Sequence, residues 1–323
     1  MKSKADSAPL QRITHSMSQE VCIVFGALRS GSTLLRLMLD GHPNLHCPGE
    51  TDFLFDALER RGDGWAYDRA ALEANRIYRA SIVNYPDGLD GVDALHAMID
   101  QIRAPGVMPV LMLHRGMERA AELLPNAHVI HLRRDPRDVA RSSIGMGWAG
   151  NVFYGASHWL ETASSWNKGA PKLASEPLEV FYEELIPDTE GQLHKGCTHL
   201  GLDYDPGMLA YTEGTTYSAP DPSLTYQWKR KQSPREVALV EARLGQMLID
   251  YGYEPSDHPP IPLTGATKLS LKLEDWVARQ RFRINRFGLG TVVKEKIARR
   301  LGLKGLQAST QLRIDEITAQ HLK

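Results

Sequence analysis

A loop rich in glycine and serine lies between an apolar segment and an amphipathic helix near the start of the chain. Residues 21–25 are apolar and mostly β-favouring, which predicts a buried strand. The loop runs from Gly26 to Gly31, and a helix is predicted to begin at Ser32 and to end at Gly41, shortly before a proline. Backbone N–H groups of such a loop and of the helix N-terminus converge on an anion. This stretch therefore predicts a binding site for a phosphate-like group.

The glycine spacing of this loop matches a known nucleotide-binding motif with one exception. Gly26 and Gly31 have the spacing of the Walker A motif. Ser32 and Thr33 follow them, but Ser32 stands where the motif has lysine, which a kinase or NTPase needs to contact the β- and γ-phosphates. A loop that lacks this lysine but contains Arg29 suits a donor without a γ-phosphate. The other interpretation, in which the glycines serve only a tight turn, stays open at this point.

A second candidate phosphate site follows another predicted strand. Residues 127–132 are mostly apolar, and Arg134 comes shortly after them. Asp135 is a favourable N-cap and Pro136 suits the first helical position, so a helix is predicted to start here. Ser142 follows Arg134 by eight positions. An arginine supplies charge to a phosphate and a hydroxyl helps to place it, although Arg134 as a solvated charge beside the cap is the alternative.

Strands and helices are predicted to alternate along most of the chain. The predicted buried strands are 21–25, 107–113, 127–132 and 178–181. The predicted helices between and after them include 67–83, 91–102, 155–172, 191–200 and 234–250. This alternation predicts an α/β fold with a parallel sheet and helices on both faces. With 323 residues, of which 42% are hydrophobic, the chain can bury one large α/β core.

Charge is distributed unevenly along the chain. Residues 263–323 contain 13 Lys or Arg and 5 Asp or Glu, a net charge of +8. Since the whole chain carries −1, residues 1–262 carry −9. We therefore predict a flexible N-terminus (1–19), a main domain (20–262) and a basic, largely helical C-terminal extension (263–323).

The C-terminal extension has a helical pattern that suits a partner. Val293, Ile297 and Leu301 fall on one helical face, and basic residues lie elsewhere. The pattern fits packing on a homodimer partner, on the main domain or on an anionic membrane surface, with a solvated helical face as the alternative. No nucleic-acid partner is expected, because the main domain is acidic.

Cysteine usage and hydropathy predict a cytoplasmic protein. Cys22, Cys47 and Cys197 form no close pair and no metal-ligand pattern, so reduced thiols and no bound metal are expected. Residues 1–20 contain no apolar signal segment, and no apolar run reaches the length that spans a membrane.

The two candidate phosphate sites also resemble the signature segments of a known family. Residues 28–35 read Leu-Arg-Ser-Gly-Ser-Thr-Leu-Leu, and residues 134–142 read Arg-Asp-Pro-Arg-Asp-Val-Ala-Arg-Ser. The first resembles the 5′-phosphosulfate loop, and the second the 3′-phosphate segment, of the sulfotransferases that use 3′-phosphoadenosine 5′-phosphosulfate (PAPS). Residues 181–185 and 201–204 resemble later landmarks of these enzymes. The resemblance covers roughly residues 20–255 and implies a P-loop-like fold.

The resemblance implies PAPS as the sulfuryl donor and a set of residues that bind it. Residues of the loop would hold the 5′-phosphosulfate, namely Arg29, Ser30, Gly31, Ser32, Thr33 and Leu34. Arg134 and Ser142 would hold the 3′-phosphate, while Tyr182 and Trp228 would line the nucleotide cleft. During in-line transfer Arg29 would also take up the charge that grows on the leaving phosphate.

The resemblance also implies a catalytic base. Residues 49–51 (Gly-Glu-Thr) and 166–168 (Trp-Asn-Lys) look closest to the tyrosylprotein sulfotransferases and their bacterial relatives. In those enzymes an acidic residue shortly after the first helix is the proposed base, and Glu50 occupies that place. A carboxylate there could accept the proton of a hydroxyl acceptor, whereas a helix-capping role for Glu50 is the alternative.

The position of the family's catalytic lysine differs in this sequence. An ungapped comparison places Arg115 there, and a shift by one residue places His114 there. Both therefore join the predicted catalytic set. Arg115 could instead pair with Glu118 or Glu122 on its own predicted helix.

Two further parts of the implied site are less well defined by the sequence. The late serine of the catalytic set is assigned to Ser218, with Thr215 and Thr216 as alternatives. The acceptor carries a hydroxyl, as in a peptide tyrosine, a carbohydrate, a lipid or a small molecule. Residues 56–106 and 143–160 are predicted to form its pocket, because such pockets are built by variable loops.

Two other functions compete with sulfuryl transfer. A nucleotide kinase could use Asp135, at the end of a strand, as a magnesium ligand, although the missing loop lysine opposes this. A domain that binds the nucleotide without turnover could tether a partner through the basic extension. Replacement of the usual lysine by Arg115 keeps this second alternative open.

Overall fold

A computed structural model describes residues 20–321 of the chain, with side chains described as far as residue 318. The segment predicted to be flexible, 1–19, lies outside the described residues. The strands are β1 (Cys22–Gly26), β2 (Leu45–His46), β3 (Leu58–Arg61), β4 (Gly64–Tyr67), β5 (Met108–Leu113), β6 (His128–Arg133) and β7 (Leu178–Phe181). The helices are α1 (Ser32–Asp40), α2 (Phe53–Asp56), α3 (Arg69–Ala74), α4 (Arg76–Ala80), α5 (Gly91–Asp100), α6 (Met117–Leu123), α7 (Pro136–Gly145), α8 (Val152–Gly155), α9 (Ser157–Gly169), α10 (Tyr182–Leu185), α11 (Thr189–His199), α12 (Tyr211–Gly214), α13 (Trp228–Lys231), α14 (Pro234–Leu244), α15 (Met247–Asp250), α16 (Gly265–Phe287), α17 (Leu289–Arg300) and α18 (Lys304–His321).

Five parallel strands form the central sheet in the order β2-β5-β1-β6-β7. Strand β1 lies in the middle and is buried along its whole length. Phe25 of β1 is level with Leu113 of β5, and Gly26 is level with Leu132 of β6. Parallel neighbours need long crossover connections, and helices supply them here. The predicted parallel sheet is therefore confirmed.

Helices cover both faces of this sheet. Cys22 and Val24 of β1 belong to a buried cluster with Met38 of α1. Phe25 points to the other face, where its ring stacks on Trp166 of α9 with 5.7 Å between ring centroids. Successive residues of a strand face opposite sides, so α1 and α9 must lie on opposite faces of the sheet. This confirms the predicted α/β fold class.

Several local elements differ from the sequence prediction. The antiparallel hairpin β3–β4, which pairs Leu58 with Tyr67, was not predicted because three of the four residues of β3 are charged and exposed. The helix predicted over 67–83 is broken at Asn75, whose side chain accepts the N–H groups of the first turn of α4. The predicted glycine stop of α1 is present, but Gly41 has a right-handed φ of −74°. Its lack of a side chain instead permits close packing, because an added Cβ would lie 2.6 Å from the carbonyl oxygen of Gly207.

The chain folds as two compact units. The first consists of residues up to Asp135 together with His158–Thr225, and it contains the sheet and the hairpin. The second consists of Pro136–Ser157 together with Tyr226–Lys323, and its described part is helical. The predicted boundary between a main domain and an extension at residue 262 stays a prediction.

Two sequence expectations can be compared directly with the structure. Cys22, Cys47 and Cys197 are free and buried, as expected. Within residues 20–321, no helix is both long enough and apolar enough to cross a membrane.

Candidate active site

The carboxyl ends of four neighbouring strands bring most of the predicted site residues to one edge of the sheet. His114 follows β5, the glycine loop follows β1, Arg134 follows β6 and Tyr182 follows β7. The register keeps these ends level, since Arg133 of β6 pairs with Phe181 of β7. Ligands of open parallel sheets bind at this edge.

The glycine loop has a backbone shaped for an anion. Arg29 and Gly31 have positive φ values of 72° and 91°, on either side of Ser30. Positive φ is unfavourable for a residue with a side chain, so the Arg29 conformation must be held by its surroundings. Alternation of this kind turns successive N–H groups toward one point. No side chain among the described residues caps the N-terminus of α1, which begins at Ser32.

Ser30 has a buried hydroxyl inside this loop. The residue is 1% exposed, and its Oγ has no hydrogen-bond partner within the described part of the chain. Its backbone N–H donates to the carbonyl oxygen of Ala27 at 3.1 Å. A buried hydroxyl without a partner is costly. The loop therefore contains a polar atom that a bound anion could satisfy.

Tyr182 and Arg134 are packed against the loop. A Cβ added to Gly31 would lie 2.5 Å from the ring of Tyr182, so only glycine allows this close contact. The Arg134 guanidinium lies 4.1 Å from the centroid of the same ring and donates a 2.9 Å hydrogen bond to the carbonyl oxygen of Arg29. A second 2.9 Å bond goes to the carbonyl oxygen of Leu224. Arg134 is thus buried and joined to the loop, so its interpretation as a solvated charge is wrong.

A buried chain of hydrogen bonds connects Asp52, His114 and Ser32. The Asp52 carboxylate lies 2.8 Å from His114 Nδ1 and also accepts the His114 backbone N–H at 2.8 Å. His114 Nε2 lies 3.2 Å from Ser32 Oγ, at the loop position where Walker A has lysine. Burial by itself would raise the pKa of Asp52, but the hydrogen bonds and charge of His114, with the charge of Arg115, hold that pKa below its usual value. The imidazole ring is therefore fixed by an ionised carboxylate on one side and faces the loop on the other.

Glu50 and Arg115 lie beside this chain. Glu50 is exposed, and its backbone pairs with Met112 near the end of β5. Arg115 donates from Nε to Asp56 at 2.8 Å. That hydrogen bond is the largest cause of a raised Arg115 pKa. Burial lowers the pKa, and the charges of Asp52, Asp56 and Glu50 raise it further. The charge of Glu50 therefore acts on the Arg115 guanidinium.

The alternatives for these two residues find no support in the geometry. Glu118 accepts a hydrogen bond from Ser165, and Glu122 pairs with Lys172, so neither is the partner of Arg115. Pairing of Arg115 along its own helix is therefore wrong. Among the described residues no side chain caps α2, the helix that follows Glu50, so Glu50 does not act as its cap.

The position of Ser218, the predicted late hydroxyl residue, relative to the glycine loop is less closely defined by contacts. Ser218 is exposed, and its carbonyl oxygen accepts a hydrogen bond from the Tyr211 hydroxyl at 3.1 Å. Its neighbour Tyr217 interacts electrostatically with Arg29. Burial is the main cause of a lowered Arg29 pKa, and the interaction with Tyr217 opposes it. The segment around Ser218 thus approaches the loop through Tyr217, which the sequence prediction had not selected. The choice among Thr215, Thr216 and Ser218 stays a prediction.

Ser142 and Trp228 belong to the second unit. Trp228 is buried, and the Arg137 guanidinium lies 3.7 Å from the centroid of its ring. The Trp228 backbone N–H donates to Asp138 Oδ1 at 2.7 Å, which ties this residue to the first turn of α7. Ser142 lies further along α7. Their predicted contact with a nucleotide stays a prediction.

A buried carboxyl group at the edge of the sheet was missed by the sequence prediction. Glu183 is 8% exposed, and its Oε1 accepts the Asp135 N–H at 2.9 Å. The other oxygen, Oε2, is buried without a partner among the described residues. Burial, helped by the charge of Asp135, raises the pKa of Glu183 to about 7, against hydrogen bonds and the Arg134 charge that lower it. The resemblance to family landmarks had pointed to residues 181–185 without singling out this carboxyl.

The raised pKa makes stability depend on pH. The folded chain holds a proton on Glu183 between its ordinary pKa of 4.5 and about 7. Because Glu183 binds more protons in the folded than in the unfolded state in this range, its contribution to stability is largest below pH 4.5 and is lost as pH rises through 7. The loss attributable to Glu183 is about 3 kcal/mol. We expect Glu183→Gln to reduce the difference between unfolding free energies measured at pH 5 and pH 8 by that amount.

The neighbouring Glu184 provides a matched control, because it is exposed on the same helical turn. Glu184→Gln should leave the difference between the two pH values as it is in the parent chain. An identical pH dependence in all three proteins would show that Glu183 is ionised at pH 5.

Comparison with known proteins agrees with the fold. Residues 22–206, more than half of the chain, match the model of the sulfotransferase family. The chain belongs to the sulfotransferase family.

Individual relatives are similar at a moderate level of identity. Protein-tyrosine sulfotransferase 2 of Gallus gallus is 25% identical over 283 residues, which cover 77% of this chain and 74% of that protein. The sulfotransferase domain of the Synechococcus PCC 7002 olefin synthase superposes with a TM-score of 0.52 at 22% identity, covering 69% of this chain and 93% of that chain. The sulfotransferase domain from the curacin biosynthetic pathway gives a TM-score of 0.56 at 20% identity, with coverages of 73% and 99%. The two solved structures share the fold of this chain.

Proposed function

We propose that this protein transfers the sulfuryl group of PAPS to a hydroxyl acceptor, with Glu50 as the general base. The observation that carries the proposal is the loop around Ser30. Its buried hydroxyl has no partner among the described residues, and its backbone turns through two positive φ values. Membership of the sulfotransferase family supports sulfuryl transfer as the reaction.

The residues at the sheet edge fit the phosphate groups of the donor. Those that would hold the 5′-phosphosulfate are Arg29, Ser30, Gly31, Ser32, Thr33 and Leu34. Arg134 would hold the 3′-phosphate, and we assign Ser142, Tyr182 and Trp228 to the same nucleotide. When bound, PAPS supplies an activated sulfuryl group with a phosphate leaving group. Fixed N–H groups and the Arg29 guanidinium are donors of the kind that stabilise charge growing on such a group.

The side chains beside the loop suit the acceptor half of the reaction. Glu50 is an exposed carboxylate that can take the hydroxyl proton on an oxygen atom as the acceptor attacks. Arg115 is a cation on which the charge of Glu50 acts, and we assign it to the same half of the site. We assign His114 Nε2, which faces Ser32 Oγ, to donate toward the phosphate from which the sulfuryl group departs. No metal takes part in this proposal.

The acceptor is a hydroxyl compound, and a tyrosyl side chain of a peptide is the class suggested by the name of the curated relative. Carbohydrate, lipid and small-molecule hydroxyls are the other classes. We propose a cytoplasmic location, in keeping with three free cysteines.

Nucleotide binding can be tested before the acceptor is known. We expect adenosine 3′,5′-bisphosphate, at about 100 times its dissociation constant, to add roughly 2.7 kcal/mol of apparent stability. For a chain of this size the melting temperature should rise by about 5–10 °C, with or without magnesium. ATP with magnesium should raise it far less, because the loop lacks the lysine that contacts the γ-phosphate. The measurement is thermal unfolding at several nucleotide concentrations, and an equal or larger effect of ATP with magnesium would favour a kinase.

The Arg134→Ala variant tests the contribution of the 3′-phosphate to binding separately from that of the rest of the nucleotide. Loss of a charge-assisted contact worth roughly 1.5–3 kcal/mol should weaken binding of adenosine 3′,5′-bisphosphate about 10- to 150-fold. Adenosine 5′-phosphosulfate lacks the 3′-phosphate and serves as the matched ligand, with nearly unchanged affinity expected. Arg134 also donates a hydrogen bond to the Arg29 carbonyl oxygen, so its loss could distort the loop. Equal weakening of binding for both nucleotides would therefore contradict the assignment of Arg134 to the 3′-phosphate.

A further inference from the structure

One face of helix α16 is packed within the second unit. Leu271 is fully buried, and its carbonyl oxygen accepts a hydrogen bond from Asn151 Nδ2 at 2.8 Å. The Asp275 carboxylate accepts the N–H of Gly150 at 2.7 Å. These contacts fix which side of α16 faces the protein, and they anchor a helix that lies in the basic extension.

The other side of α16 carries a row of exposed apolar side chains, here called the α16 stripe. Leu269, Leu273 and Trp276 are spaced by four and three positions, and they are 70%, 62% and 58% exposed. Val277 and Ile284 extend the row and are also exposed. Exposed apolar side chains grouped on one face of a helix are typical of an interaction surface.

Basic side chains border the α16 stripe. Lys272 is exposed and lies three positions after Leu269 and four before Trp276, and the exposed Lys268 lies one turn before Lys272. The segment 263–323 as a whole has a net charge of +8. An apolar row bordered by lysine and containing tryptophan has the composition of a helix that lies in the plane of a membrane surface.

Helix α17 repeats the arrangement. Val292 and Ala298 are buried, whereas Val293, Ile297 and Leu301, spaced by four positions, are exposed. This is the apolar face that the sequence predicted. Two consecutive helices of the basic segment therefore each bury one side and expose apolar residues on another.

We propose that the α16 stripe binds the surface of an anionic membrane. Its apolar side chains would enter the boundary between headgroups and acyl chains, while the flanking lysines contact anionic headgroups. Charge complementarity selects this occupant over a second copy of the same segment, because two segments of net charge +8 repel each other. The proposal is independent of the transfer reaction.

Vesicle co-sedimentation of the full chain tests the proposal. Vesicles of phosphatidylcholine alone are compared with vesicles that contain one quarter phosphatidylglycerol, at low and high salt. We expect binding to the anionic vesicles to be at least tenfold tighter and to weaken at high salt, since each basic residue near such a surface contributes roughly fivefold in affinity. Equal binding to both compositions, or no binding to either, would overturn the proposal.

Matched variants locate the contact. Leu273→Ser with Trp276→Ser should reduce binding at least tenfold, whereas Ile82→Ser, at an equally exposed position of the first unit, should not. Lys268→Glu with Lys272→Glu should reduce binding similarly, and Lys195→Glu is the control for charge on an exposed residue elsewhere. The positions changed in α16 are exposed, so the folded state should be retained, which melting temperatures check. Loss of a dimer in Leu273→Ser with Trp276→Ser, with vesicle binding retained, would instead assign the α16 stripe to self-association.

Discussion

Replacement of Glu50 by glutamine is expected to reduce turnover about 10²- to 10⁴-fold, the usual contribution of a general base. This corresponds to roughly 3–5.5 kcal/mol in the activation barrier. Glutamine keeps the shape and the hydrogen-bonding capacity of the side chain but cannot accept the acceptor's proton at the ambient pH. Since Glu50 is exposed and caps no helix among the described residues, donor affinity and melting temperature should change little. Turnover, nucleotide affinity and melting temperature are measured on the same preparation.

An exposed carboxylate away from the site supplies the control. Glu176 lies in the connection before β7, and Glu176→Gln should leave turnover unchanged. Near-normal turnover of Glu50→Gln with an accepted hydroxyl compound would remove Glu50 from the mechanism. A fall in melting temperature that accompanies a modest loss of turnover would point to a structural role for Glu50.

Replacement of His114 by leucine is expected to reduce turnover about 10²- to 10³-fold, as loss of a fixed hydrogen-bond donor to a developing anion does. The ring nitrogen that faces Ser32 Oγ is lost in this variant. Stability should also fall, by about 3–5 kcal/mol, because the buried Asp52 carboxylate loses the partner that lies 2.8 Å away. Turnover must therefore be measured well below the melting temperature of the variant.

A double variant separates the two effects. Asp52→Asn combined with His114→Leu removes the buried charge together with its partner, so much of the lost stability should return while turnover stays low. The comparison uses unfolding by urea and single-turnover rates on the parent and both variants. Recovery of turnover together with stability would show that His114 supports the fold only.

The positions of the glycine loop and of Arg134 at the sheet edge could be predicted from the sequence, whereas the contact between Asp52 and His114 could not. The glycine loop follows a single strand and helix, so its spacing alone defines where an anion meets backbone N–H groups. The position of Arg134 could be predicted in the same way, because it follows directly after β6, a strand that pairs with β1. By contrast, Asp52 and His114 are 62 positions apart, and neither residue carries a local signal that the two will meet.

Two other features depended on the environment that the fold creates. The pKa of Glu183 reflects burial beside Asp135, which no spacing along the chain encodes. The partner of Arg115 was predicted on its own helix, because that is the rule for exposed helical pairs. The structure instead brings Asp56 from another helix to it. Contacts between elements decide such cases, and a single sequence specifies them only through the whole fold.

The hydrogen bonds between Asp52 and His114 have an implication for how proteins of this architecture can diversify. The chain leaves the sheet edge at Asp52, runs through the hairpin and α3–α5, and returns along β5 to His114 at the same place. The two ends of the intervening segment are therefore joined by hydrogen bonds beside the glycine loop. The length and surface of this segment can change while the hydrogen bonds between Asp52 and His114 hold Ser32 and its neighbours in position. The residues between α2 and β5 can thus be exchanged as one piece, with Asp52, His114 and the buried strand β5 left in place.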